Sequence, residues 1–501
     1  MSDQAASSRD ATQATAWLLV GALGFVWLFP MLLLRGMSLD GVVYATISRN
    51  LAVGLGDAWH LIYTATEREF RDSPPLAFVL QSGFFRVLGD HWWVERLYSV
   101  ATLLPTGGLL VLIWRQLLAA WPRLLAYAWL PMLLWVSMPA WPWIYRNNLL
   151  ENTLGIFTAL AVYASLRATS DTRWWAAWTT LAAASIAAAV LTKGPVGLFP
   201  AVTPTVAWLT LRQQTAGRSL VVQLTLLGCL AALTTLVLAD PVRQEFLSEY
   251  FQKQIVNSLQ GRRETVSSPF GQGALLWTLV VQDLLPSAAM AAACVVWARR
   301  RRMDVAAEGL GSAGYFCLLT AASASIPIMI SPKQSAYYAA PSWPFYALSL
   351  ALWCLPAVDA ILTRAAQRAS WTRATWWTRF AALVTIGLVV GLSPLWAGRY
   401  HRDRSLGQDV EEIARVVEPH ATIAIPESME NEWSLQAYLF RWHYISLEVT
   451  EEPAPGAFQL DFAAASEVPE NLELASDNLS LYRLYRPSGA TAALGGAAAS
   501  R

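Results

Sequence analysis

The residues able to do chemistry in this sequence are one early carboxylate and a scatter of cations, each beside an apolar run. Asp40 lies six residues past the end of the first apolar run, in MSLDGVVYATISRN. Arg49 follows it, and Arg71 and Asp72 precede the Pro74-Pro75 pair. Further along stand Arg146, Glu151, Lys193, Arg262, Arg263 and Lys333. A carboxylate can take the proton of an attacking hydroxyl. Cations can hold a phosphate and stabilise it as a leaving group. Lys193 sits in LTKGPVG between two apolar runs, where charge is costly unless it is paired or snorkels to water. Glu151 begins an apolar run and needs a partner or a water-filled cavity. Solvation alone explains Arg262 and Arg263 equally well. For Asp40 the competing reading is a helix N-cap before VVYATISRN, and the two roles are compatible.

The elements that must carry these residues are membrane helices. Of 501 residues, 55% are hydrophobic and 14% charged, against about 25% charged in soluble domains. Trp is abundant, with pairs at Trp92-Trp93, Trp174-Trp175 and Trp376-Trp377, where amphipathic rings favour the membrane interface. A net charge of +1 gives no reason to expect nucleic acid. The four cysteines fall in apolar runs with no CxxC spacing, which argues against a thiolate metal site or a disulfide framework. A spanning helix needs roughly 20 apolar residues. Eleven candidates follow: 15–34, 93–117, 123–141, 149–167, 174–191, 195–211, 219–239, 273–297, 312–330, 336–357 and 378–397.

Lys and Arg in short loops set the orientation. Arg115 and Arg123, Arg167 and Arg173, Arg212 and Arg218, Arg299 to Arg302, and Arg364 to Arg379 mark alternate loops as cytoplasmic. The first outer loop is then 35–92. The later ones are 142–148, 192–194, 240–272 and 331–335, and they hold nearly all the unusual polar residues. The expected organisation is a disordered cytoplasmic N-terminus over 1–14 and a transmembrane domain over 15–398. A small α/β extracytoplasmic domain over 399–488 and a disordered tail over 489–501 complete it. The α/β expectation rests on helix-like DVEEIARVV and NEWSLQAYLF alternating with strand-like TIAIPE, YISLEVT and LSLYRLYRP.

These features favour an enzyme over a transporter or flippase of a lipid-linked or small polar substrate. Transporters place their charges near the midplane, often in repeated halves. Here the polar residues gather at one face and no repeat is evident. A non-catalytic assembly subunit, with the tail as its binding module, is a third and weaker reading. An outward-facing enzyme has no cytoplasmic nucleotide as co-substrate, so it needs a donor carried across the membrane, such as a lipid-phosphate-linked sugar.

Several motifs, in order, resemble the lipid-linked-sugar glycosyltransferases of the GT-C fold, of the bacterial aminoarabinose transferase and protein O-mannosyltransferase type. They are LDGVVYATISRNL, with Asp40, Tyr44 and Arg49; REFRDSPPLAF; LTKGPVGLFP; EYFQKQIVNSLQGRR; and SPKQSAYYAAPSWPFYAL, with Lys333 and Tyr337. The resemblance covers about residues 15–350. It implies Asp40 as general base or acceptor-orienting group, and Lys193, Lys333, Tyr337 and Arg49 as contacts to the donor phosphate. Tyr44, Arg71, Asp72, Arg146 and Glu151 would line the cavity. It implies a polyprenyl-phosphate-sugar donor, a glycolipid such as lipid A or a protein as acceptor, and a multi-pass protein of the bacterial inner membrane with a periplasmic site. Two departures stand out. The family's Lys before Pro-Pro is Ser73 here. Some members bind a divalent metal through an acid matched by Asp72 and a His in the later outer loop, but Gln254, Ile255 and Asn257 occupy that loop. A divalent metal therefore stays open, with no ligand set assigned.

Overall fold

The computed structural model describes residues 2–66, 69–212, 214–262, 274–303, 309–330, 335–368, 370–464 and 472–488. Lys333, Arg263 and the tail 489–501 lie outside the described residues. The chain divides into two compact units. One comprises Met1–Leu32, Arg71–Ala77 and Arg96–Leu395; the other Leu33–Phe70, Phe78–Glu95 and Trp396–Arg501.

The first unit is helical. Among the described residues, eight runs are long and apolar enough to cross a membrane: Arg9–Leu33, Val94–Leu117, Trp175–Leu211, Ala216–Leu238, Val280–Arg300, Leu310–Met329, Tyr337–Ala366 and Trp371–Leu395. The expected eleven are not reproduced, for local reasons. The third, 123–141, is broken into a 3-10 turn Pro122–Ala128 and short helices Trp129–Val136 and Trp141–Arg146. The fourth is one helix, Leu150–Ser170, that carries Glu151 and Arg167. The fifth and sixth merge by length and composition in Trp175–Leu211, yet the chain doubles back inside that run. Gly194 takes φ +76°, and a Cβ on Gly197 would lie 2.5 Å from the Ala189 carbonyl carbon. Residues eight apart in a straight helix are about 12 Å apart along its axis, so a reversal at Gly194 is required. The expected short connection at 192–194 is this turn. The N-terminal helix runs from Ser2 to Leu33, so residues 2–14, expected to be disordered, are helical.

Two of the loops expected on the basic side meet within this unit. The Arg167 guanidinium pairs with Asp171 at 3.4 Å, and Arg218 donates to the Asp171 carbonyl at 2.9 Å. These are loops of the basic set. Glu151, Lys193, Tyr250 and Tyr337, from the opposite set, gather with one another, as described below. The core between them is apolar, built around Leu110, Trp114, Trp135, Phe316 and Leu348.

The second unit holds a five-stranded sheet with β1 Thr422–Ile425, β2 Ser446–Val449, β3 Gln459–Phe462, β4 Leu472–Leu474 and β5 Tyr482–Pro487, in the order β2-β1-β3-β5-β4. The β1–β2 and β1–β3 pairs are parallel, and β3–β5 and β4–β5 antiparallel. The parallel β1–β2 pair needs a crossover, and the helix Trp433–His443 provides it. The helix Arg404–Val416 buries Leu406, Val410 and Ile413 at helical spacing. The expected α/β alternation of the tail is present.

One boundary moves. The loop 35–92 was assigned to the transmembrane domain, but most of it belongs with the sheet. Met37, Val42 and Tyr63 share a core with Val410, Ile413, Leu435 and Leu447, and the Arg35 amide donates to the Arg399 carbonyl at 2.8 Å. Within this loop the helix Leu39–Ala52 packs against Trp433–His443.

Candidate functional site

In the helical unit, Lys193 ends its helix at the Gly194 reversal, and its ammonium pairs with the Glu151 carboxylate. Glu151 lies in the first turn of Leu150–Ser170, where the helix dipole favours a negative charge. Its side chain is 1% exposed, whereas that of Lys193 is 19% exposed. The ammonium also stands 5.2 Å from the ring centre of Tyr337 and 5.1 Å from that of Tyr338, inside the range of cation–π attraction. The two rings meet edge to face, with centres 5.0 Å apart. From the helix Pro241–Tyr250, the Tyr250 hydroxyl donates to the Lys193 carbonyl at 3.3 Å. A Cβ on Gly194 would fall 2.1 Å from that hydroxyl oxygen, so only glycine fits this turn. The result is a cation held by one carboxylate and two aromatic faces, on a side chain that keeps 19% of its surface exposed. Such an ammonium can exchange its carboxylate for a phosphate, or accept both.

Arg71 and Asp72 meet the same later loop. The Arg71 guanidinium reaches Glu249 at 2.7 Å and Glu245 at 3.3 Å, and the Lys253 ammonium reaches Asp72 at 3.0 Å. Asp72, which matches the metal-binding acid of some family members, thus faces an ammonium where a divalent ion would need further anionic or imidazole ligands. Among the described residues, no three His, Cys, Asp or Glu side chains come together to hold a metal ion. These residues do not fit a divalent site.

Arg146 is buried at the end of Trp141–Arg146, and its Nε donates to the Met31 carbonyl at 3.0 Å. It ties this short helix to the end of the helix Ser2–Leu33.

In the sheet unit, Asp40 is the second residue of the helix Leu39–Ala52 and half-buried; Ser38 holds the N-cap position. The N-cap reading of Asp40 is therefore replaced by a first-turn acid, favoured by the helix dipole. Tyr44, one turn on, packs its ring 5.5 Å from that of Phe78.

Arg49 departs from its expected role as a phosphate contact. Its side chain is 0% exposed. Its nitrogens donate to Asn50 Oδ1 at 3.0 Å, the Phe440 carbonyl at 3.0 Å and Asp90 at 3.3 Å, and its guanidinium lies 3.8 Å from the Tyr444 ring centre. Asp90 is shared with Arg441 at 2.6 Å, and Arg441 also reaches Glu95 at 2.9 Å. Burial holds the Arg49 guanidinium below its ordinary value, and Arg441 adds to that. Burial alone would raise Asp90, but Arg441, Tyr444 and Arg49 bring it below the usual carboxylate range. Arg49 is therefore a structural tie. The residues that sequence reading missed are Tyr250, Tyr338, Glu245, Glu249, Lys253, Asp90, Glu95 and Arg441. Tyr338 was signalled by its place beside Tyr337, and Tyr250 by the aromatic EYF segment.

The sequence model of the family described as dolichyl-phosphate-mannose-protein mannosyltransferase matches residues 72–239. No curated protein sequence matches the chain. Two crystal structures of ArnT from Cupriavidus metallidurans are similar in structure. The one bound to undecaprenyl phosphate has a TM-score of 0.64 at 17% identity, over 95% of this chain and 99% of that one. The apo form has a TM-score of 0.62 at 16% identity, over 94% of this chain and 98% of that one. The matched span includes Asp72, Arg146, Glu151 and Lys193.

Proposed function

We propose, with the GT-C fold and a multi-pass membrane architecture as premises, that this protein is a glycosyltransferase. It moves a sugar from a polyprenyl-phosphate donor to an extracytoplasmic acceptor: lipid A, another glycolipid or a protein. It acts at the periplasmic face of the bacterial inner membrane. The observation that carries this reading is the Lys193 ammonium, held by buried Glu151 between Tyr337 and Tyr338 and still partly open. The related ArnT crystal structure, which holds undecaprenyl phosphate, supports a lipid phosphate as the anion it takes.

In the proposed reaction, the acceptor hydroxyl attacks the anomeric carbon of the donor. The new C–O bond forms as the bond from that carbon to the phosphate oxygen breaks, and its electron pair leaves with the polyprenyl phosphate. Lys193 stabilises the charge on that leaving group. Asp40 takes the hydroxyl proton, and Lys333 adds a second cation to the phosphate. Tyr337 and Tyr338 keep the ammonium oriented. Tyr44, Arg146 and Glu151 shape the surroundings. Arg49 has no part in the chemistry.

Reconstitution in proteoliposomes with a polyprenyl-phosphate sugar and lipid A tests this, with Asp40→Asn and Lys193→Ala as variants. Loss of transfer in both is expected. Full transfer in both would refute the reading, and substrate counterflow without transfer would favour a transporter. Mass spectrometry of envelope glycolipids and glycoproteins from a deletion strain would identify the sugar and acceptor.

A further inference from the structure

Five charges form ion pairs around Tyr250, the residue that touches the Lys193 turn. Arg71 and Asp72 are adjacent and of opposite sign. The segment they face presents Glu245 and Glu249, four apart on one face of the helix Pro241–Tyr250, and Lys253 just beyond its end. The acids take Arg71 and the lysine takes Asp72. Swapping the order of signs on either segment would turn attraction into repulsion, so the pairs fix register as well as contact. Between Glu249 and Lys253 in sequence lies Tyr250, buried, whose hydroxyl seats on the Lys193 carbonyl against Gly194. The chain after Tyr250 widens into a π turn, Phe251–Val256, which carries Lys253. Such turns interrupt regular α-helical spacing.

On the later segment the paired groups are open to solvent, with Lys253 62% and Glu249 54% exposed, while their partners are less so, Asp72 at 39% and Arg71 at 21%. Exposed pairs are individually weak and screened by salt. They suit an adjustable hold better than permanent cement.

We infer that Arg71, Asp72, Glu249 and Lys253, with Glu245, are positioning residues: a salt-sensitive clasp that sets how firmly Tyr250 seats on the Lys193–Gly194 turn, and so how well the ammonium is placed for a lipid phosphate. This deepens the proposed function and rests on it for the identity of the anion, but the clasp itself stands on the ion pairs and the Tyr250 contact.

The test uses the full chain in lipid nanodiscs, read by hydrogen–deuterium exchange over residues 190–200 and 241–256 and by binding of undecaprenyl phosphate. Lys253→Glu puts two carboxylates together. It should speed exchange in both segments by about three- to tenfold, as expected for loss of surface pairs that close a local opening. Undecaprenyl phosphate affinity should fall with it. Asp72→Lys added to Lys253→Glu reverses the pair and should restore both readouts. Wild type in about 1 M KCl should move in the same direction as Lys253→Glu, because screening is nearly complete there. Unchanged exchange near Gly194 in Lys253→Glu, or no restoration by the double reversal, would overturn the clasp. If wild type binds no undecaprenyl phosphate, the glycosyltransferase reading fails, while the exchange readouts still decide the clasp.

Discussion

In the sheet unit, Arg49 and Arg441 are buried: both reach Asp90, Arg441 reaches Glu95, and aromatic rings and backbone carbonyls take further donors. Arg441 Nε is the guanidinium nitrogen of this pair that is buried with no hydrogen-bond partner among the described residues. In the helical unit, Lys193 has one carboxylate, two tyrosine faces and a side chain that is 19% exposed. Both clusters set cations against carboxylates, and both sit beside apolar cores. They differ in what remains unused. A guanidinium with a rigid fork and buried partners joins segments distant in sequence. An ammonium is a compact point charge on a flexible stem, and leaving part of it exposed allows it to change partners. The buried cluster joins the segments of its unit, and the partly exposed one is where we propose that the ligand binds.

The strongest way to break this contrast is Arg441→Leu. It leaves Asp90 and Glu95 without their main cation, and removing one partner of a buried pair costs about 3 kcal/mol or more. Thermal unfolding of the purified protein should show an early transition for Arg441→Leu, and Arg49→Leu should follow it. Polyprenyl phosphate affinity measured well below that transition should be unchanged. A loss of affinity in a folded Arg49→Leu variant would return Arg49 to the site.

Glu151→Gln sharpens the contrast from the other side. If Lys193 is there to exchange its carboxylate for a phosphate, removing the competing charge should tighten undecaprenyl phosphate binding about fivefold, roughly 1 kcal/mol, the scale of a charge-assisted hydrogen bond in partial solvent. Binding by calorimetry or microscale thermophoresis checks it. A purely structural pair would lower stability and leave affinity alone.

Tyr338→Leu removes one aromatic face from the ammonium and should weaken phosphate binding about two- to fivefold, in line with partly exposed cation–π contacts. Tyr338→Phe should retain it.

The smallest effect is on pH. Asp90 sits below the usual carboxylate range, so it binds fewer protons folded than unfolded. Its stabilisation is complete above the unfolded carboxylate value, about 3.9, and is lost as pH falls through the lower folded value. Melting curves between about pH 5 and pH 2 should show a decline that Asp90→Asn lacks.

Much of this arrangement was legible in the residues. Apolar runs located most of the helices, and the residues Glu151, Lys193, Tyr250 and Tyr337, which the Lys/Arg alternation put at one face, come together. TKGP announced a tight connection at Lys193, and the tail's helix–strand alternation announced the sheet. Short QLDF and LEL, which became β3 and β4, carry too few residues for a periodic signal. The ties of Arg49 could not be read from the motif, because its partners Asp90, Phe440 and Tyr444 lie 41 to 395 residues away. The first outer loop was placed with the membrane region because adjacency in sequence suggested it, whereas shared apolar packing of Met37, Val42 and Tyr63 puts it with the sheet. The pairs of Arg71 and Asp72 needed the fold for the same reason.

The most direct measurement is single-turnover sugar transfer in proteoliposomes by wild type, Asp40→Asn and Lys193→Ala, each first shown to melt as wild type does. The account predicts a fall of about a hundredfold or more in each variant, the scale of a lost general base or of a lost charge-stabilising group, with lipid phosphate binding weakened only in Lys193→Ala. Wild-type transfer rates and binding in Lys193→Ala would contradict it.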